Sequence, residues 1–323
     1  MNQPVRPSPF VTPQAPRLDP AKFRDPLVTA KGEPRARVAV KALTTLWFNT
    51  GTLCNLTCLN CYIESSPTND ALTYLTAAEA RAYLDEIAAL RLPVREIGLT
   101  GGEPFMNPDI VTMIGEALER GFDVLVLTNA MKPMEHRKAG LLALKNPRLT
   151  IRVSLDHHTA AVHEAERGVG TWPKTVEGLQ WLSDEGFSLA VAGRRLTQED
   201  EASARAGYAA LFARLGVRVD AFDPSRLVLF PEMDAGCDVP EITTACWGIL
   251  HKSPDDLMCA SSRMVVKRRG AKAPTVVACT LTPYDPQFDL GPSLAGALGE
   301  VPLTHPHCAK FCVLGGASCT PSP

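Results

Sequence analysis

Three cysteines on one short stretch are the first chemical clue in this sequence. Cys54, Cys58 and Cys61 all fall within the segment CNLTCLNCY. A structural zinc site usually takes four ligands, and a disulfide takes two. A cubane [4Fe–4S] cluster has four irons, and thiolates normally ligate each one. Three cysteines would hold three irons and leave the fourth open, and an open coordination position is typical of a catalytic metal.

Other motifs that could bind a ligand follow predicted strands. The segment TGGEP (100–104) closes one apolar stretch, TNA (128–130) closes the next, and VSLDHHTAAVHEAERGVGTW (153–172) contains the end of a third. Backbone carbonyls on a glycine turn and a nearby carboxylate suit an ammonium partner. A tight turn alone would also explain the glycine pair.

The cysteine spacing and the TGGEP motif together resemble the radical S-adenosylmethionine (SAM) enzymes. The resemblance implies a catalytic [4Fe–4S] cluster on Cys54, Cys58 and Cys61, with the amino and carboxylate groups of SAM on the open iron. It further implies that an electron from the cluster cleaves the sulfonium. The resulting 5′-deoxyadenosyl radical then abstracts hydrogen from a substrate.

The resemblance also implies which residues contact the cofactor. The motif 101–104 would bind its amino group, residues 154–156 would lie near its ribose and carboxylate, and an arginine after them could pair with that carboxylate. A helix cap explains the serine and aspartate equally well, and a surface ion pair explains the arginine. The implied cofactor-binding residues are Gly101, Gly102, Glu103, Pro104, Asn129, Ser154, Asp156 and Arg167.

A second set of cysteines lies near the C-terminus. The segment 258–281 reads as a β-hairpin bounded by two thiols, and HCAKFCVLGGASC (307–319) supplies three more. This arrangement resembles the SPASM and Twitch extensions, which hold auxiliary [4Fe–4S] clusters. One auxiliary cluster is favoured over two, and a structural zinc site is the alternative. The implied ligands are Cys259, Cys279, Cys308 and Cys312, with Cys319 or Cys246 as rivals for the last place.

Alternating strands and helices must position these motifs. Strands are predicted at 44–50, 94–100, 123–129, 149–156, 188–193 and 226–230, with helices between them. Such alternation predicts a parallel sheet with right-handed crossovers, whose sites form at the carboxyl ends of the strands. We therefore expect an α/β fold: a partial (β/α)6 TIM-like barrel with a small C-terminal cysteine-rich auxiliary-cluster domain.

The composition divides the chain into three parts. Residues 1–43 form a proline-rich, extended N-terminal extension, residues 44–232 the radical SAM partial barrel, and residues 233–323 a SPASM/Twitch-like auxiliary iron–sulfur domain. The net charge of −2 gives no electrostatic footprint for nucleic acid. No apolar run is long enough for a membrane span or a secretory signal, so we expect a cytoplasmic protein without membrane contact.

The substrate is the point at which the sequence stops deciding. Families with auxiliary domains of this kind modify peptides and proteins, or oxidise small molecules, and we expect either a peptide or a small-molecule substrate. An electron donor such as flavodoxin or ferredoxin would be the other partner. The alternative from a different class is a non-catalytic iron–sulfur electron carrier or a zinc-binding scaffold, neither of which needs an open iron.

Overall fold

The computed structural model describes residues 16–59, 61–195, 199–231 and 236–315. Cys319, the predicted rival ligand, lies outside these residues. Ten strands occur in the described part of the chain: β1 Arg37–Val38, β2 Thr45–Asn49, β3 Glu96–Thr100, β4 Asp123–Thr128, β5 Leu149–Ser154, β6 Ser188–Arg195, β7 Leu227–Pro231, β8 Ser262–Val266, β9 Thr275–Val277 and β10 Val301–Pro302.

The helices fill the intervals between the strands. In the same part of the chain they are α1 Ala77–Leu90, α2 Ile110–Glu119, α3 Lys132–Glu135, α4 Lys138–Ala143, α5 Ala160–Arg167, α6 Thr171–Asp184, α7 Glu201–Leu215 and α8 Cys246–Leu250. None of these described helices is long and apolar enough to cross a membrane.

The central sheet confirms the predicted fold class. Its strand order is β7-β6-β5-β4-β3-β2-β8-β9, and the six strands from β2 to β7 all pair in parallel. The six strands predicted from the sequence correspond to these six. Because they run in one direction, their carboxyl ends meet at one edge of the barrel and bring the motifs that follow them together.

Local sequence explains how the first crossover helix begins and which face it buries. Thr76 and Glu79 form a capping box at the start of α1, in which each side chain accepts a hydrogen bond from the backbone of the other residue. Tyr83, Leu84 and Ile87 follow at helical spacing and are buried. They join the main core between the helices and the outer face of the sheet.

The C-terminal hairpin is present, but it extends the barrel sheet. β8 and β9 pair antiparallel, as predicted for 258–281. β8 also pairs in parallel with β2, with Thr45 opposite Ser262 and Phe48 opposite Val265. The cysteine-rich region therefore shares a continuous sheet with the barrel, whereas the sequence suggested only a following domain. The proposed domain boundaries stay a prediction.

Residues 16–43 pack against the C-terminal region. β1 pairs antiparallel with β10, and Phe23, Ala36 and Val38 share a second hydrophobic core with residues of 236–315. A buried ion pair joins Arg35 to Glu241 at 2.5 Å. This part of the extended N-terminal segment is thus built into the structure around the second set of cysteines.

Candidate active site and second cysteine site

One cavity collects most of the predicted catalytic and cofactor-binding residues. It lies at the carboxyl edge of the sheet, and its space, including the part open to solvent, is about 1160 Å³. Cys54 is buried, while Cys58 and Cys61 are half-buried. The predicted residues that line it are Cys54, Cys58, Cys61, Gly101, Gly102, Asn129, Ser154, Asp156 and Arg167.

The glycine turn lies directly against the cysteine loop. The amide of Gly102 donates to the carbonyl of Gly51 at 2.8 Å, and that of Glu103 donates to the carbonyl of Leu53 at 3.1 Å. A Cβ on Gly102 would lie 2.3 Å from the Leu53 oxygen, so no side chain fits there. Gly101 has φ +144°, in the region that favours glycine. The two glycines thus allow the strand β3 terminus to touch the segment that carries the thiols.

Glu103 and Pro104 do not line the cavity. The Glu103 carboxylate lies behind its wall, where it accepts hydrogen bonds from Thr128 Oγ1 at 2.8 Å, from the Asn129 amide at 2.8 Å and from the Phe105 amide at 3.1 Å. Burial raises the pKa of Glu103 to about 7, although these hydrogen bonds act in the opposite direction. In this structure Glu103 ties the turn to the end of β4.

Asn129 links the end of β4 to the cysteine loop. Its Nδ2 donates to Asn55 Oδ1 at 2.9 Å and lies 3.9 Å from Cys54 Sγ. Its Oδ1 accepts from the Met131 amide at 3.1 Å, which fixes the orientation of the side-chain amide. A residue predicted as a cofactor contact therefore also positions one of the three thiols.

A buried charge network forms part of the cavity wall. Arg167 donates to both carboxylate oxygens of Asp156, at 2.8 and 2.9 Å. Arg194 donates to Asp156 at 3.1 Å and to the fully buried Glu166 at 2.6 Å. Burial alone would raise the pKa of Asp156, but Arg167 and Arg194 outweigh it and hold that pKa well below its usual range. Asp156 is therefore a carboxylate at neutral pH.

The structure excludes two of the explanations that the sequence left open for these residues. Only 15% of the Arg167 side chain is exposed, so its ion pair is not a surface contact. The residue at the N-cap of α5 is Thr159, and neither Ser154 nor Asp156 caps that helix. The simple structural explanations for these three residues thus do not apply.

Several residues of the cavity were not predicted from the sequence. Arg194 lies near the carboxyl end of β6, and that position is the signal that could have identified it. Tyr62, Phe230, Leu281 and Phe311 form an apolar wall, and the Phe230 and Phe311 rings lie 5.5 Å apart. Phe230 follows from the same strand-end rule, whereas Leu281 and Phe311 come from the distant C-terminal region.

The three thiols suit a cluster better than a single metal ion. Zinc–sulfur bonds of about 2.3 Å place tetrahedral sulfur ligands about 3.8 Å apart. In the described part of the chain, one group of three possible metal-ligand atoms lies within 4.8 Å, and it belongs to His157, His158 and Glu199. The sulfur atoms of the three cysteines are therefore further apart than this limit. Burial raises the pKa of Cys58 to about 11, and bound metal would deprotonate such a thiol.

The histidine group itself forms a hydrogen-bonded network. The Thr159 amide donates to His157 Nδ1 at 3.0 Å, so the proton of the neutral imidazole resides on Nε2. Nε2 lies 2.6 Å from Glu199 Oε1 and can donate to it. A metal-binding Nε2 would require the opposite tautomer, so this arrangement favours a histidine–carboxylate contact.

A second cavity brings together four cysteines of the C-terminal region, the four predicted as auxiliary-cluster ligands. Apolar side chains fill most of the remaining wall, and Leu281 borders both cavities. Burial raises the pKa of the Cys308 thiol to about 12. Cys246 does not line this cavity. The cysteines that line it are Cys259, Cys279, Cys308 and Cys312.

Fold and site together define a partial-barrel protein with a cysteine-loop cofactor cavity at its carboxyl edge. The model of the radical SAM superfamily matches residues 48–206, and this region of the chain is a radical SAM domain. The cysteine-rich C-terminal region agrees with the SPASM-type extension predicted from the sequence.

Curated relatives match parts of this chain. Mycofactocin maturase MftC of Mycobacterium tuberculosis H37Rv is 28% identical over 209 residues, which are 62% of this chain and 46% of that protein. GTP 3′,8-cyclase of Rhodococcus opacus is 42% identical over 142 residues, 42% of this chain and 38% of that one. The chain thus spans about half or less of the length of the curated relatives it matches.

Solved structures share the fold. SuiB of Streptococcus suis bound to S-adenosylmethionine has a TM-score of 0.56 at 13% identity, over 77% of this chain and 63% of that chain. The structure of SuiB bound to the precursor peptide SuiA has a TM-score of 0.55 at 12% identity, over 75% and 61%.

Proposed function

We propose that this chain reductively cleaves S-adenosylmethionine and uses the product to abstract hydrogen from a peptide. The observation that carries the proposal is one cavity that joins three half-buried or buried thiols, a glycine turn and a buried carboxylate–guanidinium pair. A non-catalytic electron carrier has no need for such a cavity beside its thiols.

Each element of the cavity has a role in holding the cofactor. Cys54, Cys58 and Cys61 would hold a [4Fe–4S] cluster by three of its irons and leave one coordination position for SAM. Gly101 and Gly102 leave the backbone bare where an ammonium group would approach. When bound, the cluster would supply the electron for reductive cleavage of SAM, and the cleaved cofactor would take a hydrogen atom from the substrate. An external donor such as flavodoxin or ferredoxin supplies that electron.

The charge network can orient the ribose and the carboxylate of the cofactor. Asp156 is ionised and can accept hydrogen bonds from ribose hydroxyls. Arg167 binds both oxygens of the Asp156 carboxylate through Nε and Nη2. The remaining N–H groups of Arg167 can donate to the cofactor carboxylate. Arg194 bridges Asp156 to Glu166 and so helps to hold this pair in place.

The apolar wall supports a peptide that presents an apolar side chain. Tyr62, Phe230, Leu281 and Phe311 pack together and line the cavity. An aliphatic or aromatic side chain would bury its surface there and leave charged groups outside. SuiB, which shares this fold, has been solved with a precursor peptide bound, and this supports the same class of substrate.

A small-molecule substrate is the second candidate. GTP 3′,8-cyclase is 42% identical to the matched part of this chain, a higher identity than that of the other curated relative described above. Its name refers to a nucleotide. A nucleotide would need cationic contacts for its phosphates, and Arg152 and Arg194 line the cavity. Labelling each candidate with deuterium in turn distinguishes a peptide substrate from GTP. Only the true substrate should transfer deuterium to 5′-deoxyadenosine.

We also propose that Cys259, Cys279, Cys308 and Cys312 hold one auxiliary [4Fe–4S] cluster. The support is that all four line one cavity beside the apolar wall. The cluster either carries electrons to or from the substrate or holds the wall in position.

Anaerobic reconstitution tests the proposed function. The reduced protein should release 5′-deoxyadenosine from SAM and contain about eight irons, four for each cubane. Cys61→Ala should lose this cleavage, whereas Cys237→Ala, whose thiol lies outside both cavities, should keep it. Full cleavage by Cys61→Ala would refute the catalytic assignment. Zinc in place of iron, without cleavage, would identify a scaffold.

A further inference from the structure

Arg263 is a buried cation beside the second cavity. It lies on β8 and is fully buried. Its Nη1 donates to the carbonyls of Cys259 at 2.6 Å and Ser262 at 2.7 Å. Its Nε donates to Ala297 at 2.8 Å, and its Nη2 donates to Gly299 at 3.0 Å. The guanidinium is therefore fixed against the backbone of a cysteine that lines the cavity.

The charge of Arg263 is not balanced by an acidic side chain. Across residues 16–59, 61–195, 199–231 and 236–315, no carboxylate lies within 4.0 Å of it. Another buried arginine, Arg35, does pair with a carboxylate, that of Glu241. Burying a cation is costly when no anion compensates it, and four carbonyl dipoles offset only part of that cost.

The cysteines beside Arg263 can supply the missing negative charge. Arg263 donates to the backbone carbonyl of Cys259, and Cys259 lines the second cavity together with Cys279. An iron–sulfur cluster with four thiolates carries a net negative charge, which increases by one on reduction, and nearby charge and hydrogen bonds tune its potential.

We propose that Arg263 is the counter-charge of the auxiliary cluster and raises its reduction potential. A fixed positive charge stabilises the more negative, reduced state more than the oxidised state. Arg263 acts on the cluster through its charge, so it is a positioning and tuning residue and not a ligand. The inference rests on the proposed function in one respect only, that the second set of cysteines holds an iron–sulfur cluster.

The test removes the catalytic cluster so that the second site can be measured alone. In a full-length chain with Cys54, Cys58 and Cys61 changed to alanine, iron content and the midpoint potential are measured by a redox titration followed by electron paramagnetic resonance. At the midpoint potential of the triple-alanine chain, adding Arg263→Gln should lower the ratio of reduced to oxidised cluster at least tenfold. For one electron, this corresponds to a midpoint potential lower by 59 mV. Arg269→Gln, on an arginine that is 71% exposed, is the matched control and should leave the potential unchanged.

The remaining outcomes separate this proposal from the function it rests on. Zinc, or no metal, in the triple-alanine chain would overturn both the auxiliary cluster and the counter-charge. Iron with the same potential in Arg263→Gln would overturn the counter-charge alone. If Arg263→Gln does not fold, Arg263→Lys decides, because lysine keeps the charge and loses the guanidinium fork. A tenfold fall in the ratio with lysine would show that hydrogen bonds, and not charge, set the potential.

Discussion

Replacing Gly102 by alanine should separate the glycine turn from the cysteine loop. The added Cβ would lie 2.3 Å from the Leu53 carbonyl oxygen and 2.7 Å from the Thr52 oxygen, both backbone atoms that cannot rotate away. An ordinary contact begins near 3.4 Å, so the turn would have to move by about 1 Å. Overpacking of this kind costs roughly 1–3 kcal/mol.

Two backbone hydrogen bonds add to that cost. The amides of Gly102 and Glu103 donate to carbonyls of the cysteine loop, and a 1 Å shift would weaken both. Each such bond contributes about 1 kcal/mol. We therefore expect the free energy of unfolding of the metal-free protein to fall by about 3 kcal/mol.

Urea unfolding followed by circular dichroism measures this loss. Gly248→Ala is the matched control, because Gly248 lies on α8 with nothing within 4 Å of an added Cβ. Alanine there should be neutral or stabilising by up to about 1 kcal/mol. After anaerobic reconstitution, the Gly102 variant should also bind SAM more weakly than the control. A loss below about 0.5 kcal/mol in Gly102→Ala would refute the tight contact between turn and loop.

Three further changes test other parts of the structure by urea unfolding. Thr76→Ala removes the cap of α1 and should cost about 1 kcal/mol; no loss would contradict the capping box. The pKa of Glu103 is raised to about 7, so its contribution to the free energy of unfolding, on the order of 3 kcal/mol, is present below about pH 4.3 and is lost as pH rises through 7. Glu103→Gln should remove this pH dependence of the free energy of unfolding, and an unchanged dependence would contradict the prediction. Arg35→Met leaves the Glu241 carboxylate buried without its cation and should lower the free energy of unfolding by about 3–5 kcal/mol. The double variant Arg35→Met/Glu241→Met should regain part of this loss, and no regain would show that the two residues are not coupled.

The sequence predicted the barrel because its signals are local. Each strand from β2 to β7 is a short apolar run, and the helix boundaries have their own signals, such as the capping box at Thr76. The pairing of β8 with β2 has no such signal, since Ser262 lies more than two hundred residues from Thr45. The packing of residues 16–43 against the C-terminal region depends on equally distant contacts.

The site divides in the same way. The thiols and glycines were identified because their chemistry and spacing are unusual over a few residues. Phe230 and Phe311 look like ordinary core residues in the sequence, and only the fold shows that they face a cavity. Glu103 shows the opposite case, because its motif suggests a cofactor contact. Its carboxylate instead accepts hydrogen bonds from the amides of Asn129, directly after β4, and of Phe105.

The shared wall of the two cavities connects the two roles considered for the auxiliary cluster. Leu281 borders both cavities and lies two residues after Cys279, while Phe311 lines the catalytic cavity and is followed by Cys312 in the second. Ligation of Cys279 and Cys312 to one cluster would fix the positions of both apolar side chains. The auxiliary cluster would therefore shape the substrate wall even if no electron passes through it, and a loss of substrate turnover on its removal would not by itself demonstrate electron transfer. The reduction potential that Arg263 sets is the property that distinguishes the two roles, because a purely structural cluster should tolerate a changed potential without loss of turnover.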